Sequence, residues 1–125
     1  MPALRQAFEE SSLSSFEGET DVVAIDFGAT WCSPCERQRP IFERVAGWFD
    51  REQPEASVVF VTVDVDENET LPEQFTVRSV PTTIIARYED ALLWGKRWRE
   101  KKRFQGVIPF ETLRSAVADV VAGDE

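Results

Sequence analysis

The chain has 125 residues, 42% of them apolar, and a net charge of −9 from 23 acidic and 14 basic residues. This length suits one compact domain, residues 1–125, that buries a core without needing crosslinks or metal ions to fold. The acid excess argues against nucleic acid as the main partner. Because no apolar run approaches the roughly eighteen residues of a membrane span, the sequence predicts a cytoplasmic protein that does not engage membranes.

The first half of the chain alternates between helical and strand patterns. In the N-terminal extension, 1–20, the spacing of Leu4, Ala7 and Phe8 predicts a helix. Two apolar runs, 21–28 and 57–65, are typical of strands buried on both faces. Between them, residues 33–50 repeat their apolar positions at helical intervals. Two parallel strands joined by a right-handed helical crossover are therefore expected.

The second half continues the alternation. Residues 70–75 predict a short helix that a capping box of Thr70 and Glu73 would open. Residues 82–88 predict a third strand, and 89–105 an extended basic hairpin that leads into a fourth. The last helix follows Pro109, which suits a first helical position. The order of elements predicts an α/β fold.

The hairpin concentrates positive charge in an acidic chain. Residues 96–103 carry six basic residues and one acidic residue, a local charge of +5 that leaves −14 on the rest. Two interpretations are open. The hairpin is either a solvated surface or a docking patch for an acidic partner, with Trp94 and Trp98 as apolar anchors.

A cysteine pair lies where the first strand gives way to the helix, in "GATWCSPC", 28–35. A zinc site is disfavoured because the chain has no histidine and no further cysteine to complete four ligands. Cys32 would stand at a helix N-terminus, where unpaired N–H groups and the helix dipole favour the nucleophilic thiolate. Cys35, one turn later, can reach it. A reactive pair is predicted over two inert, buried thiols.

Asp26 interrupts the apolar run "VVAIDF". An acid on a solvated strand face would be unremarkable chemically, but an isolated buried carboxyl has a raised pKa and can carry a proton near neutrality. Its place on the same strand-turn-helix unit as the cysteines indicates a proton carrier for the second sulfur.

The stretch "DFGATWCSPC", with Pro40 after it and "RSVPTTII" further on, resembles the thioredoxin family. The resemblance implies a thioredoxin fold, a central mixed sheet of four to five strands flanked by helices. It also implies an oxidoreductase that reduces protein disulfides with no cofactor besides the redox-active Cys32–Cys35 pair. By matching position, Cys32 would attack, Cys35 would resolve, Asp26 would be the acid/base, and Pro81 would be held cis.

The resemblance further implies a substrate groove and two kinds of partner. The partners would be a thioredoxin reductase or an equivalent electron donor, and disulfide-containing target proteins, in electron transport and cell redox homeostasis. The residues expected to line the groove are Trp31, Ser33, Pro34, Val80, Pro81 and Gly106.

Several positions depart from the family pattern. Ser33 replaces the glycine usual between the cysteines, which leaves open a disulfide oxidase or isomerase in place of a reductase. A third alternative is a protein-binding module that uses the 94–103 hairpin. Thr62 stands where many members place a lysine, so Asp26 is expected to lack a charged neighbour. The customary first strand is not visible in the sequence.

Overall fold

Five strands form one mixed sheet in a computed structural model that describes residues 4–7 by their backbone and residues 12–123 in full. The sheet order is β1-β3-β2-β4-β5. Strands β1 and β2 run parallel to β3, whereas β4 runs antiparallel to β2 and β5 antiparallel to β4. The strands are β1 (Leu4–Ala7), β2 (Val22–Gly28), β3 (Val58–Asp64), β4 (Thr82–Asp90) and β5 (Lys96–Gln105).

Three α-helices cover the sheet. They are α1 (Ser33–Glu52), α2 (Thr70–Gln74) and α3 (Phe110–Val121), and two short 3-10 turns occupy Ser14–Phe16 and Leu92–Trp94. None of the helices within the described residues is long and apolar enough to cross a bilayer. The mixed sheet flanked by helices confirms the predicted fold class.

The two central strands are buried on both faces, as their continuous apolar runs predicted. Every residue of β2 is buried, and in β3 only Asp64 is partly exposed. Between them α1 forms the predicted crossover, and its Phe42 and Phe49 rings pack on Phe60 of β3 at 5.5 and 5.8 Å between centroids. This packing holds the middle and the C-terminal half of α1 against the sheet.

The predicted N-terminal helix is wrong at Leu4–Ala7, which form β1. This strand pairs in parallel with β3, with Leu4 opposite Phe60 and Ala7 opposite Val63. The edge of β3 offers a row of backbone N–H and C=O groups, and pairing with that edge outweighs the weak local preference for a helix. Phe8, the third residue of the helical pattern, lies outside the described residues.

Helix α2 forms as predicted, but its capping box does not. Glu69 occupies the cap position without a side-chain hydrogen bond to the helix. Instead the Leu71 N–H donates to Oδ1 of the buried Asn68 at 3.1 Å. Because Thr70 already lies inside the helix, its hydroxyl is one position too late to cap it.

The C-terminal part follows the prediction closely. Strand β4 extends the expected third strand by two residues, to Asp90, and β5 completes the hairpin. Pro109 immediately precedes α3. The helix buries Leu113, Ala116, Val117 and Val120 against the face of the sheet that α1 also covers.

Candidate active site

The two cysteines lie at the junction between β2 and α1. The Cys32 N–H donates to the Ala29 carbonyl oxygen at 3.2 Å, and Cys32 then occupies the N-cap of α1. Its Sγ accepts the Cys35 N–H at 3.2 Å. Since the first amides of a helix have no partner within it, they and the helix dipole favour negative charge on this sulfur. The predicted placement of Cys32 is confirmed.

The sulfur atoms of Cys32 and Cys35 are joined in a disulfide, and their Cα atoms are 5.3 Å apart. That separation lies within the usual range for a disulfide. Pro34, between them, falls in the first turn, where its missing N–H breaks no helical bond. The two cysteines therefore form the predicted pair and are not two separate, inert thiols.

The loop before β4 lies against the disulfide. The Val80–Pro81 peptide bond is cis, as the resemblance implied. The carbonyl oxygen of Val80 is 3.8 Å from Cys32 Sγ, and the Val80 N–H makes no hydrogen bond within the part of the chain that the structure describes. Gly106, whose φ of +90° favours glycine, donates its N–H to the Pro81 carbonyl oxygen at 2.8 Å. Two chain segments thus meet at Cys32 Sγ, and Gly106 is hydrogen-bonded to the second of them.

Trp31 and Ser33 are exposed beside the pair, and Pro34 is half-buried. The Trp31 indole Nε1 donates to Asp66 Oδ2 at 2.8 Å, which holds the ring in place. The role of Asp66 was not predicted. A signal was available, because Asp66 closely follows β3, and the carboxyl ends of neighbouring parallel strands meet at one edge of the sheet.

Asp26 lies in the buried interior behind the cysteines, with a residue exposure of 1%. Its neighbours across the sheet are Thr62 on β3 and Thr83 on β4. Gly28 lies two residues further along the same face, so close to Cys35 that an added Cβ would meet its Sγ at 3.5 Å. Asp26 therefore lies one side-chain repeat of the strand, roughly 7 Å, from the position that faces the second cysteine.

Comparison with known proteins agrees with this geometry. A model of the thioredoxin family matches residues 4–118. The chain belongs to the thioredoxin family. A thioredoxin of Listeria monocytogenes is 33% identical over 102 residues, which cover 80% of this chain and 94% of the relative. Thioredoxin H2-1 of Oryza sativa is 40% identical over 68 residues, 54% of this chain but only 45% of the rice protein.

Solved structures show the same fold. The X-ray structure of Fasciola hepatica thioredoxin matches with a TM-score of 0.69 and 27% identity, covering 91% of this chain and 96% of the other. Residues 4–7, for which the sequence predicted a helix, fall within the stretch that the thioredoxin family model matches.

The charged neighbour of Asp26 comes from a helix in this thioredoxin. Arg39 Nε of α1 donates to Asp26 Oδ2 at 3.1 Å, and the Arg39 side chain is partly exposed. The expectation that Asp26 lacks a charged partner is therefore wrong. Thr62, on β3, does not supply one, but the helix places a guanidinium over the same carboxyl from the solvent side.

These surroundings act on the pKa of Asp26 in opposite directions. Burial raises the pKa above its ordinary value of 3.8, and this is the largest effect. The hydrogen bond and the charge of Arg39 lower the pKa, and the charge of Glu43 raises it again, so that the net shift is upward. The second carboxyl oxygen, Oδ1, has no hydrogen-bond partner among the described residues, which adds to the cost of ionising the group.

A groove of about 550 Å³ opens beside this pair, lined by Gly28, Cys35, Arg39 and Thr62 among others. The absence of a side chain at Gly28 leaves this space next to Cys35. Water entering the groove reaches both the second cysteine and the guanidinium that contacts Asp26. The groove therefore brings Cys35 and Arg39, the ion-pair partner of Asp26, to one common space.

Asp26→Asn should change how stability depends on pH. Because the folded-state pKa of Asp26 is raised, its contribution to stability is fully present below the unfolded pKa and is lost as pH rises through the folded one. The variant should therefore gain stability relative to the parent over that interval, with a slope of at most about 1.4 kcal/mol per pH unit. Urea unfolding at a series of pH values measures this, with exposed Asp21→Asn as the control. A difference that does not vary with pH would contradict the assignment.

Arg39→Met should raise the pKa of Asp26 further, because it removes the hydrogen bond and the charge that hold that pKa down. A carbon-13 NMR titration of the Asp26 carboxyl reports the change directly. The matched control is Arg37→Met, which changes an exposed arginine on the same helix and should leave the titration midpoint of Asp26 unchanged. An unchanged midpoint in Arg39→Met would show that the ion pair does not govern the acid.

Proposed function

We propose that this thioredoxin reduces disulfides in target proteins by thiol-disulfide exchange, through a reversible Cys32–Cys35 dithiol/disulfide. The observation that carries the proposal is the hydrogen bond from the Cys35 N–H to Cys32 Sγ at the start of α1. It places the sulfur of Cys32 where a negative charge is stabilised, and the thiolate is the form that attacks a disulfide.

In the first step the Cys32 thiolate attacks one sulfur of the target disulfide. A new bond forms between Cys32 and that sulfur, the target's sulfur–sulfur bond breaks, and the other target sulfur leaves as a thiolate. Cys32 is the better candidate for this attack, because it caps the helix and lies against the Val80 loop, whereas Cys35 packs against Gly28.

In the second step Cys35 resolves the mixed disulfide. Asp26 accepts the proton of the Cys35 thiol, and the resulting thiolate attacks Cys32 Sγ, which releases the second target sulfur as a thiolate. The target disulfide has then gained two electrons, and the protein has lost them in forming its own disulfide. The raised pKa of Asp26 suits this role, since the carboxyl can bind a proton nearer neutrality than an exposed aspartate can.

The surface around Cys32 suits an extended peptide. The Val80 N–H, unpaired within the described part of the chain, can donate a hydrogen bond to a carbonyl oxygen of the target backbone, in the manner of strand addition. Trp31, Ser33 and Pro34 would border the peptide on one side of the sulfur, and Pro81 and Gly106 on the other. Recognition through the main chain would allow many targets of different sequence.

The reaction needs a source of electrons, because each turnover leaves the pair oxidised. A thioredoxin reductase or an equivalent donor would return two electrons and two protons to the disulfide. We place this cycle in the cytoplasm, where reducing systems keep most thiols reduced. The family membership supports this set of partners.

Cys32→Ser should abolish insulin reduction above the rate of the chemical reductant, because the attacking sulfur is gone. Cys35→Ser should still attack but should accumulate as a mixed disulfide with the target, detectable on a non-reducing gel and by mass spectrometry. Ser115→Ala, on α3, serves as the control and should reduce insulin at the parent rate. If both cysteine variants match the parent, the proposed reaction is wrong.

The direction of the reaction depends on the reduction potential of the pair. A reductase requires a potential more reducing than that of the cytosolic glutathione pool, whereas an oxidase or isomerase requires one at or above it. Equilibration with glutathione redox buffers, followed by thiol alkylation and mass analysis, measures this value. We expect the pair to stay largely oxidised in a balanced glutathione buffer. A pair that such a buffer reduces would favour the oxidase or isomerase and overturn the proposed direction.

A further inference from the structure

The turn between β4 and β5 presents three consecutive apolar side chains to solvent. Leu92, Leu93 and Trp94 are 94%, 93% and 77% exposed. The turn is ordered by backbone hydrogen bonds from Ala91 N–H to the Gly95 carbonyl and from Trp94 N–H to the Ala91 carbonyl. Single exposed apolar residues are ordinary, but a contiguous group at the tip of a hairpin marks an interaction site.

Beneath this tip lies a groove of about 850 Å³. Its lining includes Phe75, Tyr88 and Trp98 together with the three tip residues. The Tyr88 and Trp98 rings lie 5.1 Å apart, and Trp98 is only 7% exposed. The expectation that Trp98 anchors a partner in the same way as Trp94 is therefore wrong, because Trp98 belongs to the core and forms part of the floor under the groove.

The same hairpin carries the local charge of +5. Several of its basic side chains are already paired: Arg99 and Lys101 with Glu89, Lys102 with Asp119, and Arg103 with Glu100. Lys96 and Arg97, next to the tip, are exposed and make no ion pair within residues 12–123. The charge available to a partner therefore lies beside the exposed apolar group.

The hairpin tip lies at the opposite end of the sheet from the cysteines. Strand β4 begins at Thr82, next to Pro81, and ends at Asp90, next to the tip. At roughly 3.3 Å per residue, its nine residues place the tip on the order of 25 Å from the disulfide. A partner held there leaves the surface around Cys32 free.

We propose that the hairpin tip and the groove beneath it, 88–98 with Phe75, bind an acidic, amphipathic peptide segment of a partner protein. Apolar side chains of the segment would pack on Leu93 and Trp94 and enter the groove, and its carboxylates would pair with Lys96 and Arg97. The pairing is favoured because the remainder of the chain, at −14, repels acidic segments elsewhere.

The test begins with a display library of random short peptides, panned against the full chain in its disulfide form. Enriched peptides should combine Asp or Glu with large apolar residues, and labelled copies should bind more weakly as salt is raised. The paired changes Leu93→Ser with Trp94→Ser, and separately Lys96→Glu with Arg97→Glu, should each weaken binding about tenfold or more by fluorescence polarisation.

The matched control is Arg37→Glu with Arg51→Glu on α1, which makes the same change of charge away from the hairpin and should leave peptide affinity unchanged. The hairpin variants should keep the parent's melting temperature and insulin reduction, since their altered side chains are exposed and distant from the cysteines. The α1 control, in which Arg37 lies two residues from Cys35, is compared only for peptide affinity and melting temperature. Enriched peptides without acidic residues, or affinity that survives both hairpin variants, would overturn the proposal. Binding to phosphatidylglycerol vesicles in the absence of any enriched peptide would assign the tip to a bilayer instead.

Discussion

The chemistry of this protein depends on the junction at which a buried strand becomes a helix. Strand β2 has a partner on each side and no exposed face, so the position of its last residue, Gly28, is fixed by the core. The phenylalanines of α1 that pack on Phe60 then fix the helix. Because the strand and the helix are both held by the core, the turn between them places Cys32 Sγ against the Cys35 N–H.

The same junction explains why a carboxyl can be kept in the core. Asp26 destabilises the fold when it is ionised, because it has lost its water, and Arg39 offsets only part of that cost. The partner arginine belongs to the helix that carries both cysteines. Acid, counter-charge and second sulfur are therefore positioned by one strand and one helix, and a shift of α1 along β2 would move Arg39 and Cys35 together relative to Asp26. Stability is given up for a proton site at a fixed place.

Local patterns in the sequence predicted the elements whose structure is decided locally. The buried strands, the long helix and the cysteine pair all followed from apolar runs and spacing. Strand β1 did not, because its four residues adopt that structure only by pairing with β3. The predicted capping residue of α2 was also wrong, because the side chain of Asn68, and not that of Thr70, accepts the Leu71 N–H.

Contacts between distant side chains were equally hidden. Arg39 reaches Asp26 across 13 positions and Asp66 reaches Trp31 across 35, and neither pairing leaves a periodic signal. Gln38 of α1 is a further case, because its side-chain amide is fully buried. Its Oε1 accepts the Ile108 N–H at 2.8 Å, which connects the segment after Gly106 to α1. In β5 the many charged residues around Trp98 gave no indication that its side chain faces the core.

The antiparallel hairpin gives the molecule two surfaces that act independently. Residues near Pro81 border the disulfide, while the other end of the same strand carries the apolar tip beside the exposed Lys96 and Arg97. A separation on the order of 25 Å is about three Debye lengths at physiological salt. Charges at the tip therefore exert little field on the Cys32 thiolate, and the redox chemistry is insensitive to what the hairpin holds. Lys96 and Arg97 thus differ from Arg39, whose guanidinium pairs with Asp26 behind the second cysteine. Placing the apolar tip and these two cations at the far end of the sheet lets a partner be held without altering the reactivity of the sulfur.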